Sequence, residues 1–289
     1  MSSKLLAAAC AAIVCLAGAR ATAFCRTTTC DPNVDCEYDS AGCTVNGEAL
    51  FWGSTCVSFG VQAAGSAKRG IRFDTAHDLI AGAFEKWAGV DCASGGPEIE
   101  IADLGDLECR TAEYNQAFGN ANIWMFRDRD WPYEGPNATL ALTIITYNPD
   151  TGEIYDADIE VNSWGQDVTV GDTDVEADLE SIVTHESGHF LGLSHSRALG
   201  STMIAGYTTG TTDLRTLGDD DVAGMCRIYD PDDAPSSSSC VPRHGFSAQC
   251  ADAQESGGCR LGRGHSPKSA WGALFALGAL ALRCRRRRL

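Results

Sequence analysis

The segment from His185 to His195 constrains the fold of this chain more than any other. It reads His-Glu-Ser-Gly-His-Phe-Leu-Gly-Leu-Ser-His. On an α-helix, residues i and i+4 lie one turn apart on the same face, so His185 and His189 direct two imidazoles towards one point. Gly192 adopts a positive φ at little cost and is suited to end the helix. The returning chain then brings in the third imidazole, that of His195.

Three imidazoles with an open fourth position are typical of catalytic zinc, whereas structural zinc takes four protein ligands. The sequence therefore predicts a Zn²⁺ ion bound by His185, His189 and His195. Glu186, one residue beyond the first ligand, is predicted to lie beside the metal as a general base. A chance grouping of surface histidines is the alternative. The other histidines stand alone and are predicted to be structural or solvent-exposed: His77, His244 and His265.

The periodicity of apolar residues predicts both strands and helices. Apolar runs and alternation indicate strands at 56–62, 99–102, 121–126, 140–147 and 153–162. Spacing of three to four residues indicates helices at 75–87, 175–191 and 219–229. For the first helix, Asp74 or Thr75 is the predicted N-cap, and Gly89 lies just past its end. Strands with a few intervening helices are typical of an α+β domain.

The extended histidine motif resembles the signature of the metzincins, which carry a Met-containing turn beneath the metal. Met203 follows His195 at a fitting distance, and the resemblance implies that it is an apolar floor and not a ligand. Within the metzincins, the chain is most similar to the matrixins, over roughly 51–229. Asp220 and Asp221 match an acidic pair that in matrixins holds the Met-turn and the mature N-terminus.

The resemblance implies a metzincin (zincin-like) catalytic domain with a mixed, mostly parallel twisted sheet, about three helices and zinc in a cleft. It also implies a zinc metalloendopeptidase that hydrolyses polypeptides through a Glu-activated water on zinc. Tyr207 matches the tyrosine beside the pocket for the residue after the cut, although Ala205 replaces the usual proline. The strand 154–162 resembles the one that borders the substrate cleft. We expect a monomer.

Two other functions stay open from the sequence. A surface binding or adhesion protein could retain a metzincin scaffold without catalysis, although such a protein has no need of Glu186. A zinc hydrolase acting on a non-protein amide is a third possibility that nothing in the sequence excludes. The formal net charge of −17 argues against a nucleic-acid partner, because that function needs a basic surface.

Calcium is a further predicted ligand. No histidine lies between His77 and His185, so the second, structural zinc of many matrixins lacks imidazole ligands here. Calcium prefers carboxylate oxygens, and a turn and strand supply four of them. These candidate ligands are Asp150, Glu153, Asp156 and Asp158. Alternatively, they form an exposed turn and strand face.

The N-terminus has the layout of a secretory signal peptide, predicted at 1–23. Lys4 precedes an apolar run, and a small-x-small site ends at Ala23. A short buried helix is the alternative. Export makes disulfides the expected state of the remaining cysteines. Local pairs Cys92–Cys109 and Cys240–Cys250 are predicted, and a zinc site in the N-terminal cysteine cluster is disfavoured by its spacings.

Composition divides the rest of the chain. We expect a Cys-rich segment at 24–56, the matrixin-like domain at 57–230, a linker with a cysteine pair at 231–258, and a tail at 259–289. The tail joins Cys259 to a short apolar stretch and an arginine cluster, and it resembles the C-terminal sorting signals of myxobacterial surface proteins. It implies membrane association, with the protein secreted and retained at the cell surface. An ordinary tail anchor is the alternative.

Overall fold

The computed structural model describes residues 24–135, 137 and 139–249. The predicted signal peptide, Cys250 and the predicted tail lie outside these residues. No described helix is long and apolar enough to cross a membrane. In chain order the elements are β1 (Cys25–Arg26), β2 (Phe51–Trp52), β3 (Cys56–Gln62), α1 (Phe73–Ala88), β4 (Glu100–Leu107), β5 (Ile123–Phe126), β6 (Ala141–Tyr147), β7 (Glu153–Val161), β8 (Val168–Thr169), β9 (Ala177–Asp178), α2 (Leu179–Phe190), β10 (Leu193–Ser194) and α3 (Asp219–Ile228).

Six strands form a mixed, mostly parallel sheet. β2, β7, β5, β3 and β4 pair in parallel, and β6 runs antiparallel to β7. Strands β3 and β5 are buried throughout and mostly apolar. β7 is also buried along most of its length, but there apolar residues alternate with buried carboxylates. β6 pairs along one side with β7, and its other side has no strand partner among the described residues. The predicted α+β class is confirmed.

An aromatic core joins the sheet to helices α1 and α2. Phe84 of α1 lies 4.8 Å from Phe59 of β3 and 4.9 Å from Phe190 of α2, measured between ring centroids. Trp87 and Trp124 are fully buried beside them. Each such side chain stabilises the fold by roughly 1.5–3 kcal/mol. This core fixes α2, the helix that carries the histidine motif, against the sheet.

Two helix starts differ from the sequence predictions. α1 begins at Phe73, and its N-cap, Arg72, makes no side-chain cap bond, so neither Asp74 nor Thr75 is the cap. α2 begins at Leu179 and not near Val175. The Asp178 side chain accepts a hydrogen bond from Ser181 N at 2.8 Å and caps the helix. The preceding residues pair instead as the short strand β9 with β8.

Four disulfide bonds join described cysteines, in line with the oxidised state that the sequence predicts for them. They are Cys25–Cys43, Cys30–Cys36, Cys56–Cys240 and Cys92–Cys226. The predicted pairs Cys92–Cys109 and Cys240–Cys250 are therefore wrong. The prediction favoured neighbours in sequence, but each doubling of loop length costs only about 0.6 kcal/mol in closure entropy, which packing between distant segments can outweigh. The true partner of Cys92 lies 134 residues away, on α3.

The long-range disulfide Cys92–Cys226 should stabilise the fold more than the short-range disulfide Cys30–Cys36. Replacing Cys92 and Cys226 by alanine should lower the free energy of unfolding by about 2–5 kcal/mol, since this bridge closes a long loop of the unfolded chain. The matched control replaces Cys30 and Cys36, which are six residues apart, and should cost less. Chemical denaturation of both variants measures the difference. An equal or smaller loss for the Cys92–Cys226 variant would contradict the loop-closure account.

Candidate metal centre

The three motif histidines meet at one point. One ring nitrogen from each of His185, His189 and His195 lies within 4.8 Å of the others. The Nε2 atoms of His189 and His195 are 3.2 Å apart. Helix α2 supplies the first two rings from successive turns, and β10 leads to the third. The structure thus brings together the residues that the spacing predicts.

Backbone carbonyls fix the orientation of two of these rings. His185 Nδ1 lies 2.7 Å from Thr202 O, and His189 Nδ1 lies 2.9 Å from Leu193 O. A carbonyl oxygen only accepts, so each Nδ1 must donate the hydrogen. The lone pair of each imidazole is then on Nε2, the atom that faces the centre. This is the usual outer-shell arrangement around a metal-binding histidine.

The environment favours the neutral form of His189 and His195. Burial, followed by the neighbouring histidines, lowers the pKa of His189 well below its usual value. Burial, followed by the proximity of His185, lowers the pKa of His195 to about 4. Neutral imidazole is the form that binds metal. The donor set therefore fits a divalent transition-metal ion with nitrogen preference, such as zinc.

Glu186 lies beside this cluster, and a residue of β6 holds its carboxylate. Glu186 Oε2 accepts a hydrogen bond of 2.6 Å from Thr143 Oγ1 on β6. Burial raises the pKa of Glu186, while His185 and the Thr143 hydrogen bond lower it in part. Sequence reasoning identified Glu186 but missed Thr143, because nothing in the pattern of a strand indicates which hydroxyl will meet a helix.

A turn beneath the histidines is held by Asp221, whereas Asp220 of the predicted acidic pair accepts a hydrogen bond from Ser196 Oγ at 2.6 Å. Met203 is buried under the cluster, and a side chain at Gly188 would overlap its sulfur. Asp221 accepts hydrogen bonds from Ser201 Oγ at 2.6 Å and from Thr202 N at 2.7 Å. The same turn therefore carries the carbonyl that orients His185. Sequence resemblance predicted this role for Asp221.

The N-terminal Cys-rich segment holds the loop that leads to His195. Gly192 has a φ of 93°, and a Cβ there would lie 2.7 Å from Leu50 O. Thr27 N donates to Gly192 O, and Thr27 Oγ1 donates to Leu193 O, both at 3.0 Å. Strand β1 also pairs antiparallel with β10. Sequence reasoning missed this function of the Cys-rich segment, since no local signal indicates where β1 pairs.

Comparison with known proteins decides the family. The matrixin family model matches residues 52–230, which is more than half of the chain. The chain belongs to the matrixin family. It is 31% identical to Metalloendoproteinase 1 of Glycine max over 157 residues, which cover 54% of this chain and 46% of that protein. It is also 31% identical to Matrilysin of Mus musculus over 118 residues, covering 39% of this chain and 42% of that protein.

The match to Metalloendoproteinase 2-MMP of Arabidopsis thaliana is 37% identical over 105 residues, covering 34% of this chain and 25% of that protein. The chain thus spans less than half the length of these curated relatives. Residues 24–51, which are most of the predicted Cys-rich segment, and the segment after residue 230 lie outside the matrixin match.

A cavity of about 260 Å³ opens beside the histidines of this matrixin domain. Its lining includes His185, Glu186 and Tyr207, together with Leu214 and the residues that lead into β6, 139–141. The hydroxyl of Tyr207 donates to Thr211 O at 2.7 Å and accepts from Asp178 N at 2.9 Å. Tyr207 therefore stands at the pocket, where the resemblance places it, and it also ties the pocket wall to the start of α2.

The strand at the cleft is not the one that sequence resemblance indicated. Strand 154–162 was expected there, but β7 is an interior strand, paired with β5 and β2 on one side and with β6 on the other. β6 lies between β7 and the cleft, and its Thr143 contacts Glu186. The two strands form an antiparallel hairpin, so their order at the sheet edge depends on the direction of the turn between them. Sequence periodicity does not reveal that direction.

The four predicted calcium ligands are not gathered at one point. Among the described residues, the other group of close metal-binding side chains is Cys56, Glu100 and Cys240, whose cysteines form a disulfide. Asp150 is exposed in the turn after β6, whereas Asp156 and Asp158 are buried on β7. The alternative of an exposed strand face is therefore wrong for those two. Calcium binding stays a prediction.

Asp156 and Asp158 nevertheless have unusual environments. Burial, followed by mutual proximity to other carboxylates, raises the pKa of Asp156 to about 9. Burial raises the pKa of Asp158 to about 8, against hydrogen bonds from Ile123 N and Glu113 N. Those two amides donate to Asp158 at 2.9 and 2.7 Å, while Asp156 Oδ1 has no hydrogen-bond partner.

Removing the charge of Asp221 should loosen the turn beneath the histidines. We expect Asp221→Asn to lower the free energy of unfolding by about 2–4 kcal/mol, because a buried charged acceptor of several hydrogen bonds is lost. Asp232→Asn, at an exposed position outside the site, is the control and should change stability by less than about 0.5 kcal/mol. Thermal and chemical unfolding measure both. Equal stability of the two variants would show that Asp221 does not hold the turn.

Proposed function

We propose that this protein is a zinc-dependent endopeptidase that hydrolyses internal peptide bonds of polypeptides. The observation that carries the proposal is the convergence of three imidazoles with a buried Glu186 at their side. His185, His189 and His195 would hold the zinc through Nε2. Zinc bound there supplies an electrophile for the scissile carbonyl and acidifies a water molecule at the open position.

Glu186 performs the proton transfers in this proposal. Its carboxylate takes a proton from the attacking water and later delivers that proton to the nitrogen of the leaving amine. The hydrogen bond from Thr143 holds Oε2 at 2.6 Å, so Oε1 is the oxygen left to exchange protons. Because burial raises the pKa of Glu186, the carboxylate is a stronger base than an exposed one.

The open edge of β6 supports an extended peptide as the substrate. A peptide lying antiparallel to β6 would pair with the free backbone groups of that edge, a common form of peptide recognition. The cavity of about 260 Å³ at the start of β6 would take the side chain that follows the cut. Leu140, Ile182, Ile204 and Leu214 contribute to its lining, which favours an apolar side chain there.

The disulfides support export as part of the same proposal. Disulfide bonds persist in oxidising compartments outside the cytosol, and the described residues contain four with both partners defined. We therefore propose a secreted enzyme, delivered by the segment at 1–23. Retention at the cell surface through the tail at 259–289 is proposed from its sequence alone.

Glu186→Gln in the full-length chain should abolish peptide hydrolysis, with a fall in kcat of at least about 10²–10⁴-fold, the usual contribution of a general base. Zinc content should stay unchanged, since Glu186 is not a ligand. Cleavage of an unfolded protein substrate and of a fluorogenic peptide library measures the effect.

The matched control is Glu176→Gln, an exposed carboxylate shortly before α2, which should retain activity. Full activity of Glu186→Gln would remove the proposed base. A wild-type chain that binds zinc but cleaves no peptide would favour the alternative of a binding protein on a matrixin scaffold.

A further inference from the structure

The segment after the matrixin match folds back onto the domain. The sequence predicts a linker at 231–258, but its described part is fastened at several points. Cys240 is joined to Cys56 of β3. Thr55 N donates to Ser237 O at 2.8 Å, and Asn120 N donates to Gly245 O at 2.8 Å. These contacts fix the residues between them on the surface of the sheet.

The fastened segment brings Arg243 and His244 to three tyrosines. Arg243 Cζ lies 3.8 Å from the ring centroid of Tyr155, and His244 Nε2 lies 3.0 Å from the hydroxyl of Tyr114. The rings of Tyr114 and Tyr155 are stacked, with centroids 6.1 Å apart. With Tyr147 they line an open cavity of about 340 Å³. We call these five residues the tyrosine cluster: Tyr114, Tyr147, Tyr155, Arg243 and His244.

The tyrosine cluster lies at the far end of the cleft-edge strand. The pocket for the residue after the cut is at the start of β6, and Tyr147 is the last residue of β6. A substrate antiparallel to β6 therefore runs with its N-terminal part towards Tyr147. From Thr143, beside Glu186, to Tyr147 the strand advances about 13 Å. The cluster would meet substrate side chains about four to six residues before the cut.

The chemistry of the cluster favours a neutral aromatic group. The Arg243 side chain is 44 % exposed and lies 3.6 Å from Glu153 Oε1, so its charge is largely balanced. Burial raises the pKa of Tyr114, Arg243 opposes this, and Asp156 and Glu153 add to it. Arg243 and Glu153 thus place charges of both signs beside the rings, which disfavours a charged side chain of either sign. Aromatic rings pack well against tyrosine and histidine edges and faces.

We propose that the tyrosine cluster is a distal subsite that binds an aromatic side chain of a polypeptide substrate, about four to six residues N-terminal to the scissile bond. This inference rests on the proposed endopeptidase function. Because Arg243 and His244 lie outside the residues that match the matrixin model, the subsite is an addition to the shared domain. It lengthens the substrate contact beyond the catalytic cleft.

The test uses the full-length chain and two fluorogenic peptides of equal length. They share the residues around the cut and differ in having Trp or Ala five residues before it. We expect kcat/KM for the Trp peptide to exceed that for the Ala peptide by roughly twofold to tenfold, the range of one aromatic contact. The gain should appear in KM, since the contact is made equally in the ground state and transition state.

Two variants assign the preference to the cluster. Tyr114→Ala removes one ring. His244→Gly removes the imidazole without backbone strain, because His244 has a φ of 67° that glycine adopts readily. In both variants, the ratio of kcat/KM for the Trp peptide to that for the Ala peptide should fall towards one. The kcat/KM for the Ala peptide itself should not change. Tyr114→Phe should keep the preference. Arg227→Ala, an exposed arginine of α3, is the control and should also keep it.

Two results would overturn the subsite. One is an equal kcat/KM of the wild-type chain for the Trp and Ala peptides, and the other is a Trp preference that neither Tyr114→Ala nor His244→Gly lowers. Failure of the subsite can be distinguished from failure of the proposed endopeptidase function by calorimetry, which measures the dissociation constants of the same two peptides for the Glu186→Gln variant. If no peptide is cleaved, the endopeptidase proposal fails. The ratio of the two dissociation constants then still decides whether the cluster selects an aromatic residue.

Discussion

Two hydrogen bonds from histidine Nδ1 to backbone carbonyls are the constraint on which the site depends. Thr202 O and Leu193 O turn the Nε2 atoms of His185 and His189 towards one point. Thr202 O belongs to a turn and Leu193 O to the two-residue strand β10, so their positions depend on contacts with distant segments. The remainder of the structure around the site can be understood as support for these two acceptors and for the loop that leads to His195.

That support comes from distant parts of the chain. Asp221 on α3 holds the turn that carries Thr202, and Thr27 in the Cys-rich segment holds the bend that carries Leu193. The aromatic core fixes α2 between them. The N-terminal segment therefore supports the loop of the third histidine. In our proposal, the C-terminal segment extends the substrate contact at the end of β6.

The sequence revealed the features that local geometry determines. Helical periodicity and one glycine suffice to bring three imidazoles together, so His185, His189, His195 and Glu186 were predictable. Long-range pairing was not. The partner of Cys92, the edge position of β6 and the pairing of β1 with β10 all depend on how distant segments pack, and loop-closure entropy discriminates weakly among such choices. The start of α2 was missed because Asp178 caps the helix after acidic residues that also suit its first turn.

The most direct test of the account is the metal content of the purified full-length chain, measured by elemental analysis after dialysis. One zinc ion per chain is expected. His195→Ala should lose zinc under the same dialysis, whereas His77→Ala, which changes a histidine paired with Asp103 outside the site, should retain it. Zinc far below one per chain in the wild type, or equal retention by both variants, would contradict the convergence of the three imidazoles on a metal.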